Sequence, residues 1–216
     1  MCGRPMRNSR MSGRTSIDAR WLCRLLFVGG ALALLSPAEA RAEPGRDPER
    51  LMALGLQLDL LPTVLSAAHG KAGYAPQIWL GLGHVRLRLI SAHLQPPDGF
   101  AGAPRGFHDL TTTVMATVFD YTFGSRFDGA WLCSGVEVWQ RSIRHPDVSE
   151  TARWSSTVFT FGGGYIWRFA GDFYLDPWAG VHAVLNPHPV WLAEHRFRPR
   201  PIEAEASLKV GWFLTI

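Results

Sequence analysis

Lys209-Val210-Gly211-Trp212-Phe213-Leu214-Thr215-Ile216 closes the sequence, and it continues an alternation that begins several residues earlier. Ile202, Ala204, Ala206, Leu208, Val210, Trp212 and Leu214 share one face of an extended strand. Glu203, Glu205, Ser207, Lys209 and Gly211 share the other. Successive side chains of a strand point to opposite sides, so this segment needs an apolar environment on one side and a polar one on the other. A second packed sheet supplies that in a soluble sandwich. Lipid outside and a polar lumen inside supply it in a membrane barrel.

The same rhythm recurs upstream, and seven further segments are expected at about 54–66, 73–83, 85–95, 110–123, 129–142, 155–169 and 172–185, with the last at 201–216. Leu56, Leu58 and Leu60 oppose Gln57 and Asp59; Val85, Leu87 and Leu89 oppose Arg86 and Arg88; Leu175, Ala179 and Val181 oppose Asp176 and His182. In the fourth segment Phe119, Tyr121 and Phe123 oppose Asp120. No apolar run in the mature part approaches the roughly 18–20 residues of a membrane helix, whereas about ten residues suffice for a tilted membrane strand. The links after segments two, four and six are short (His84, Gly124–Asp128, Ala170-Gly171), and those after one, three, five and seven are expected to be longer, as at Pro96–Asp109 and Asn186–Arg200. Such alternation fits a barrel with tight turns at one rim and larger loops at the other. Tyr121, Phe123, Trp167, Phe169, Phe173 and Trp212 all fall near the tight-turn rim, where amphipathic rings suit a membrane interface.

The C-terminal pattern resembles the closing-strand recognition signal of bacterial outer-membrane barrels, carried here by Lys209, Gly211, Leu214 and Ile216. Ile216 stands where that signal usually has Phe or Trp. In architecture, residues 54–216 resemble the small eight-stranded barrels of the OmpA/OmpX general type, and Phe173–His182 looks like a segment of uncharacterised small outer-membrane proteins. The resemblance implies an all-β, eight-stranded antiparallel up-and-down transmembrane barrel, assembled by the barrel-assembly machinery and surrounded by outer-membrane lipid and lipopolysaccharide. It implies no activity.

Residues 1–42 read as a secretory signal peptide: Arg14, Arg20 and Arg24 precede the apolar run Leu25–Leu35, and Ala40-Arg41-Ala42 supplies a small-x-small cleavage site. Translation starts at Met1 or Met11. Residues 43–53 are then a periplasmic linker and 54–216 the barrel. Seven of the 22 Lys and Arg and two of the 18 Asp and Glu lie within 1–42, which leaves 15 bases against 16 acids, a net charge of −1. The basic character belongs to the export signal, so no nucleic-acid partner is expected. Cys2 and Cys23 leave with it, and Cys133 alone cannot form an internal disulfide.

Parity collects Asp59, Asp120, Glu137, Asp176, Glu203 and Glu205 on the inward face with Arg86, Arg88, Arg141 and Lys209, and places Trp79, Trp131, Trp139 and Trp178 there too. An eight-stranded barrel has a lumen just wide enough for side chains to fill, so a plugged, ion-paired interior is favoured over a conducting pore. The carboxylates have enough bases to neutralise most of them, and acid–base or metal chemistry is not expected of them. On segment three, Ser91 and His93 share the lipid face near the loop rim. That pair is similar to the His-x-Ser of lipid A deacylase barrels, in reversed order, with Asp109 as candidate orienting acid. Gly162-Gly163-Gly164 lies inside a strand, where close backbone approach explains it better than a phosphate loop. In the last loop Arg196, Arg198 and Arg200 can meet lipopolysaccharide phosphates. His188 and His195 supply two ligands, short of a metal set. No metal or cofactor is expected, and the chain is expected to act as a monomer in the bacterial outer membrane. The favoured role is non-enzymatic, structural or in surface interaction. The alternatives are an outer-leaflet lipid A acyl-ester hydrolase and a lateral passage for small hydrophobic molecules, for which Pro62 and Pro177 mark breaks in the strand ladder.

Overall fold

The computed structural model describes residues 52–68, 70–98, 106–124 and 127–216. The expected signal peptide (1–42) and all but the last two residues of the expected linker lie outside them. The described elements are β1 (Met52–Asp59), α1 (Leu60–Ala67), β2 (Pro76–Leu82), β3 (Val85–Leu94), β4 (His108–Thr122), β5 (Gly129–His145), β6 (Val148–Phe169), β7 (Phe173–Val184), β8 (Val190–Leu192), β9 (His195–Phe197) and β10 (Ile202–Thr215). Eight strands close into an antiparallel barrel in the order β1-β10-β7-β6-β5-β4-β3-β2, and β8 and β9 form a separate hairpin. Closure joins the first and last strands: Ala53 pairs with Thr215 and Asp59 with Lys209. Every other barrel strand pairs with its sequence neighbour, which is the up-and-down topology.

Alternation sorts the side chains. Facing out are Leu54, Leu56, Ile78, Leu80, Val85, Leu89, Met115, Phe119, Val136, Val138, Phe159, Phe161, Val181 and Leu214, all exposed. Tyr121, Phe123, Trp167, Phe169, Phe173 and Trp212 are exposed at the tight-turn rim. Facing in at that rim, Trp79, Phe127, Tyr174 and Phe213 are fully buried and touch one another. Two inward glycines make room for this packing: a Cβ on Gly211 would collide with the Tyr174 ring, and one on Gly164 with Trp131 and the Pro177 carbonyl.

The structure departs from the sequence expectation in two places. Segment one is not a strand to residue 66: β1 stops at Asp59 and α1 follows. The Asp59 carboxylate accepts from the backbone N–H of Leu61 at 3.3 Å, capping the helix. Pro62 sits in the first turn, where a missing N–H leaves no helical bond unmade, so it marks a helix start rather than a break in a strand. The second departure is the link after segment five. Instead of a long loop, β5 runs on to His145 and β6 begins at Val148, so residues 143–154 form the upper part of a long hairpin. Ile143, Val148, Ala152 and Trp154 pack there with Phe107, Leu110, Leu192 and Phe197 in an apolar cluster separate from the main one.

Candidate functional site: the barrel interior and the loop end

Above the aromatic layer the lumen holds charges. Asp120 on β4 lies between two arginines of β3. Arg88 donates to it through Nε and Nη2, both at 2.8 Å, and Arg86 through Nε at 3.0 Å. The Arg86 Nη2 also approaches Asp120 to 2.8 Å but outside hydrogen-bond geometry. All three side chains are essentially inaccessible. The guanidinium of Arg86 lies over Trp79 and Trp131, each 5.4 Å from the ring centre. Beside them, Arg88 Nη1 donates to Gln77, Gln77 accepts from Gln57, and the Tyr174 hydroxyl donates to Gln57 while accepting from Trp79 Nε1.

Two further acids sit around Lys209. Its ammonium is buried, 4.0 Å from Asp176 and 4.1 Å from the ring centre of Trp178. Asp176 accepts from Trp131 Nε1 at 2.9 Å. Asp59 accepts from Trp178 Nε1 at 3.0 Å and from the Ser207 hydroxyl. Buried charges without partners are costly; here adjacent strands set Arg86 against Asp120 and Lys209 against Asp176, although Lys209 Nζ and Asp176 Oδ2 make no hydrogen bond among the described residues.

Toward the loop rim, Glu137 accepts from Trp139 Nε1 and from the Thr160 hydroxyl. His182 stands between carboxylates: Nδ1 is 2.8 Å from the Thr160 oxygen and 3.5 Å from Glu137, and Nε2 is 3.1 Å from Glu205. A histidine donates through both nitrogens only when protonated, and this setting offers an acceptor to each. Arg141 then pairs bidentately with Glu203 at 2.8 and 2.9 Å and lies over Trp139. Glu203, Glu205 and Trp178 are half-buried; the other inward residues named from parity are buried. His182 was not among them as a partner. Its parity faced inward, but its carboxylates come from β5 and β10, a grouping that period-two alternation does not reveal.

No hydrogen bond joins the outward pair among the described residues. Ser91 is exposed on β3 opposite Met115 and makes no side-chain hydrogen bond among the described residues. His93 directs Nδ1 to the Thr113 hydroxyl at 3.2 Å and Nε2 to Gln95 at 3.4 Å, with its ring stacked on Tyr74. Asp109 orients neither: Lys71 donates to it at 2.9 Å. It lies beyond the outward apolar residues of β4, and the Lys71 bond holds its carboxyl below the usual range. No hydrogen bond links Ser91, His93 and Asp109 to one another among the described residues.

Lys71 and Asp109 belong to a polar cleft of about 330 Å³ on the outer wall at the loop rim, with Arg144, Arg153, Thr111 and Ser142. Arg196, Arg198 and Arg200 are exposed in the last loop, Arg196 lying over Trp191. Of the closing-strand signal, Lys209 and Gly211 point in, while Leu214 and Ile216 are exposed; the Ile216 N–H donates to the Met52 carbonyl at 2.9 Å.

No protein-family model matches the chain, and no curated protein matches it. Two solved structures are similar. The N-terminal β-barrel domain of Pseudomonas aeruginosa OprF is 14% identical, with 77% of this chain and 98% of that one covered and a TM-score of 0.47. Neisserial surface protein A (NspA) is 11% identical, with 77% and 96% covered and a TM-score of 0.43.

Proposed function

We propose that this protein is a bacterial outer-membrane barrel whose interior is plugged by paired charges and indoles, and that it serves the envelope without catalysis. One observation carries the reading: a closed wall with an apolar outer surface surrounds a lumen lined by buried ions. In water that arrangement is inverted, since large exposed apolar surfaces drive association. In a bilayer it is the stable one. A closed sheet leaves no edge strand to which a second chain could add, which supports a monomer. His93 is bonded to Thr113 and Gln95 rather than to Ser91, which favours this role over acyl-ester hydrolysis, and α1, which touches both β10 and β3, continues the wall where a lateral passage would open.

Surface interaction is the role of the loop rim. The cleft sits on the outer wall just beyond the apolar belt, the level of lipopolysaccharide phosphates; Lys71 is paired there with Asp109, and the Arg144 and Arg153 guanidinium forks match phosphate oxygens. Arg196, Arg198 and Arg200 add to the same surface. Lys209, Gly211, Leu214 and Ile216 are the handle for the barrel-assembly machinery.

The test is expression in Gram-negative cells. The protein is expected in the outer-membrane fraction as a heat-modifiable band, with the lipid A mass spectrum unchanged and no steady current after reconstitution into planar bilayers. Loss or gain of an acyl chain, abolished by Ser91→Ala, would establish the hydrolase. A steady single-channel current would sink the plugged lumen.

A further inference from the structure

The upper end of the β5–β6 hairpin brings together three residues that parity could not group. β5 ends at His145, Pro146 and Asp147 make the turn, and His195 opens β9 fifty residues later. Asp147 Oδ2 is 3.6 Å from His145 Nδ1 and 3.8 Å from His195 Nε2, and the two imidazoles stack with centres 3.7 Å apart. One donor atom from each residue lies within 4.8 Å of the others. His188, the histidine that the sequence offered as a companion to His195, is exposed and outside this group. The three residues of the group come from two hairpins.

We propose that His145, Asp147 and His195 bind a first-row divalent transition metal of the zinc class and thereby clip the β8–β9 hairpin to the tip of β5–β6. Around a tetrahedral zinc with bonds of about 2.0–2.1 Å, donor atoms stand roughly 3.3 Å apart. The observed separations exceed this by a few tenths of an ångström for the two contacts to Asp147, and because stacked rings cannot both aim a nitrogen at one ion, the half-exposed His195 ring must swing off His145 as the metal binds, with the exposed Asp147 carboxylate following. Two imidazoles and one carboxylate select zinc, nickel or copper over calcium and magnesium, which call for oxygen donors. Three protein ligands leave a position for water.

The site is held from beneath. His145 is buried, with its ring edge against Phe107 at 5.1 Å. Gly106, at φ +96°, lies against its Nε2, where a Cβ would come within 2.6 Å. Nδ1 is therefore the nitrogen turned toward Asp147. Its present contact, the Asp147 backbone N–H at 3.4 Å, is long and easily given up. Ile143, Leu192 and Phe197 pack together two residues from His145, three from His195 and two from His195 respectively, and fix both backbones before any ion arrives. Ligand positions set by packed neighbours are what separates a binding site from a chance surface ion pair.

The test uses the folded, full-length barrel in detergent without a polyhistidine tag, stripped with chelator and titrated with Zn²⁺ by calorimetry. One ion per chain is expected. His195→Ala and Asp147→Asn should each weaken binding more than tenfold, while His188→Ala leaves it unchanged. Heat-modifiable mobility verifies that each variant is folded, and zinc should slow proteolysis of residues 185–201 in the parent but not in the two ligand variants. Absence of saturable Zn²⁺ binding by the folded parent, parent-like affinity in His195→Ala, or binding of Ca²⁺ in preference to Zn²⁺ would each overturn the proposal.

Discussion

The barrel wall is low on one side and high on the other. β1 and β2 have 8 and 7 residues, whereas β5 and β6 have 17 and 22. A tilted strand needs about 9–11 residues to cross a bilayer, so the low side falls short and the high side overshoots. On the low side, α1 continues the wall. It carries no charged residue, exposes Val64 and Ala67, buries Pro62 and Ser66, and contacts β10 and β3 on either side of the shortened pair. A helix satisfies its own backbone, and that makes it an acceptable substitute for strand next to lipid. On the high side the surplus strand carries a second apolar cluster and the metal-ligating residues. The low side is thus built to seal, and the high side to present loops.

Both sides stand on the same charged floor, so its loss should have the greatest consequence. Asp120→Ala would strand Arg86 and Arg88 in the lumen. Breaking a buried pair in this way costs about 3–5 kcal/mol. The urea midpoint of the folded barrel should fall accordingly, and a midpoint equal to that of the parent would mean that the pairing does not support the wall.

The low side rests on one residue with two duties. Asp59 caps α1 and also accepts from Trp178 and Ser207. Asp59→Ala removes a cap worth about 1 kcal/mol and orphans buried donors at about 1–3 kcal/mol. A loss of roughly 2–4 kcal/mol is expected, together with new protease cleavage between residues 60 and 75. Destabilisation without that cleavage would show that the cap does not hold the helix in the wall.

The contrast between the two sides was only partly legible in the sequence. Alternation defined the barrel because a wall with lipid on one face and ions on the other forces period two, and Ile202–Leu214 shows it without interruption. The helix was hidden because Leu60, Leu61, Val64 and Leu65 are as apolar as the strand they follow. Its signals were Asp59 as a cap and Pro62 in the first turn, and they read equally as a damaged strand. The high hairpin was hidden for the opposite reason. Arg144, Asp147, Glu150 and Arg153 gave residues 143–154 the composition of a loop, while Ile143, Val148 and Trp154 faced a cluster whose other members lie on β4, β8 and β9 or beside them. His182 and the His145, Asp147 and His195 group depend on partners from separate hairpins, and such groupings come from register and loop packing, not from local pattern.

The smallest effect on global stability is expected at the top of the high side, and it distinguishes a presenting region from a structural one. Phe197 is buried against Phe107 and Trp154, 5.6 and 5.4 Å between ring centres, so Phe197→Ala empties the middle of the upper cluster. Were this cluster continuous with the main core, the loss would be that of any large core truncation, about 3–5 kcal/mol. Its members instead form a group of their own beyond the membrane belt, and regions of this kind open locally without taking the whole molecule with them. The unfolding free energy in urea should therefore fall by less than about 0.5 kcal/mol, while hydrogen exchange across Val190–Phe197 accelerates strongly. If the midpoint fell as far as in Asp120→Ala, the upper hairpins would belong to the barrel's own stability, and the division of labour between the two sides would be wrong.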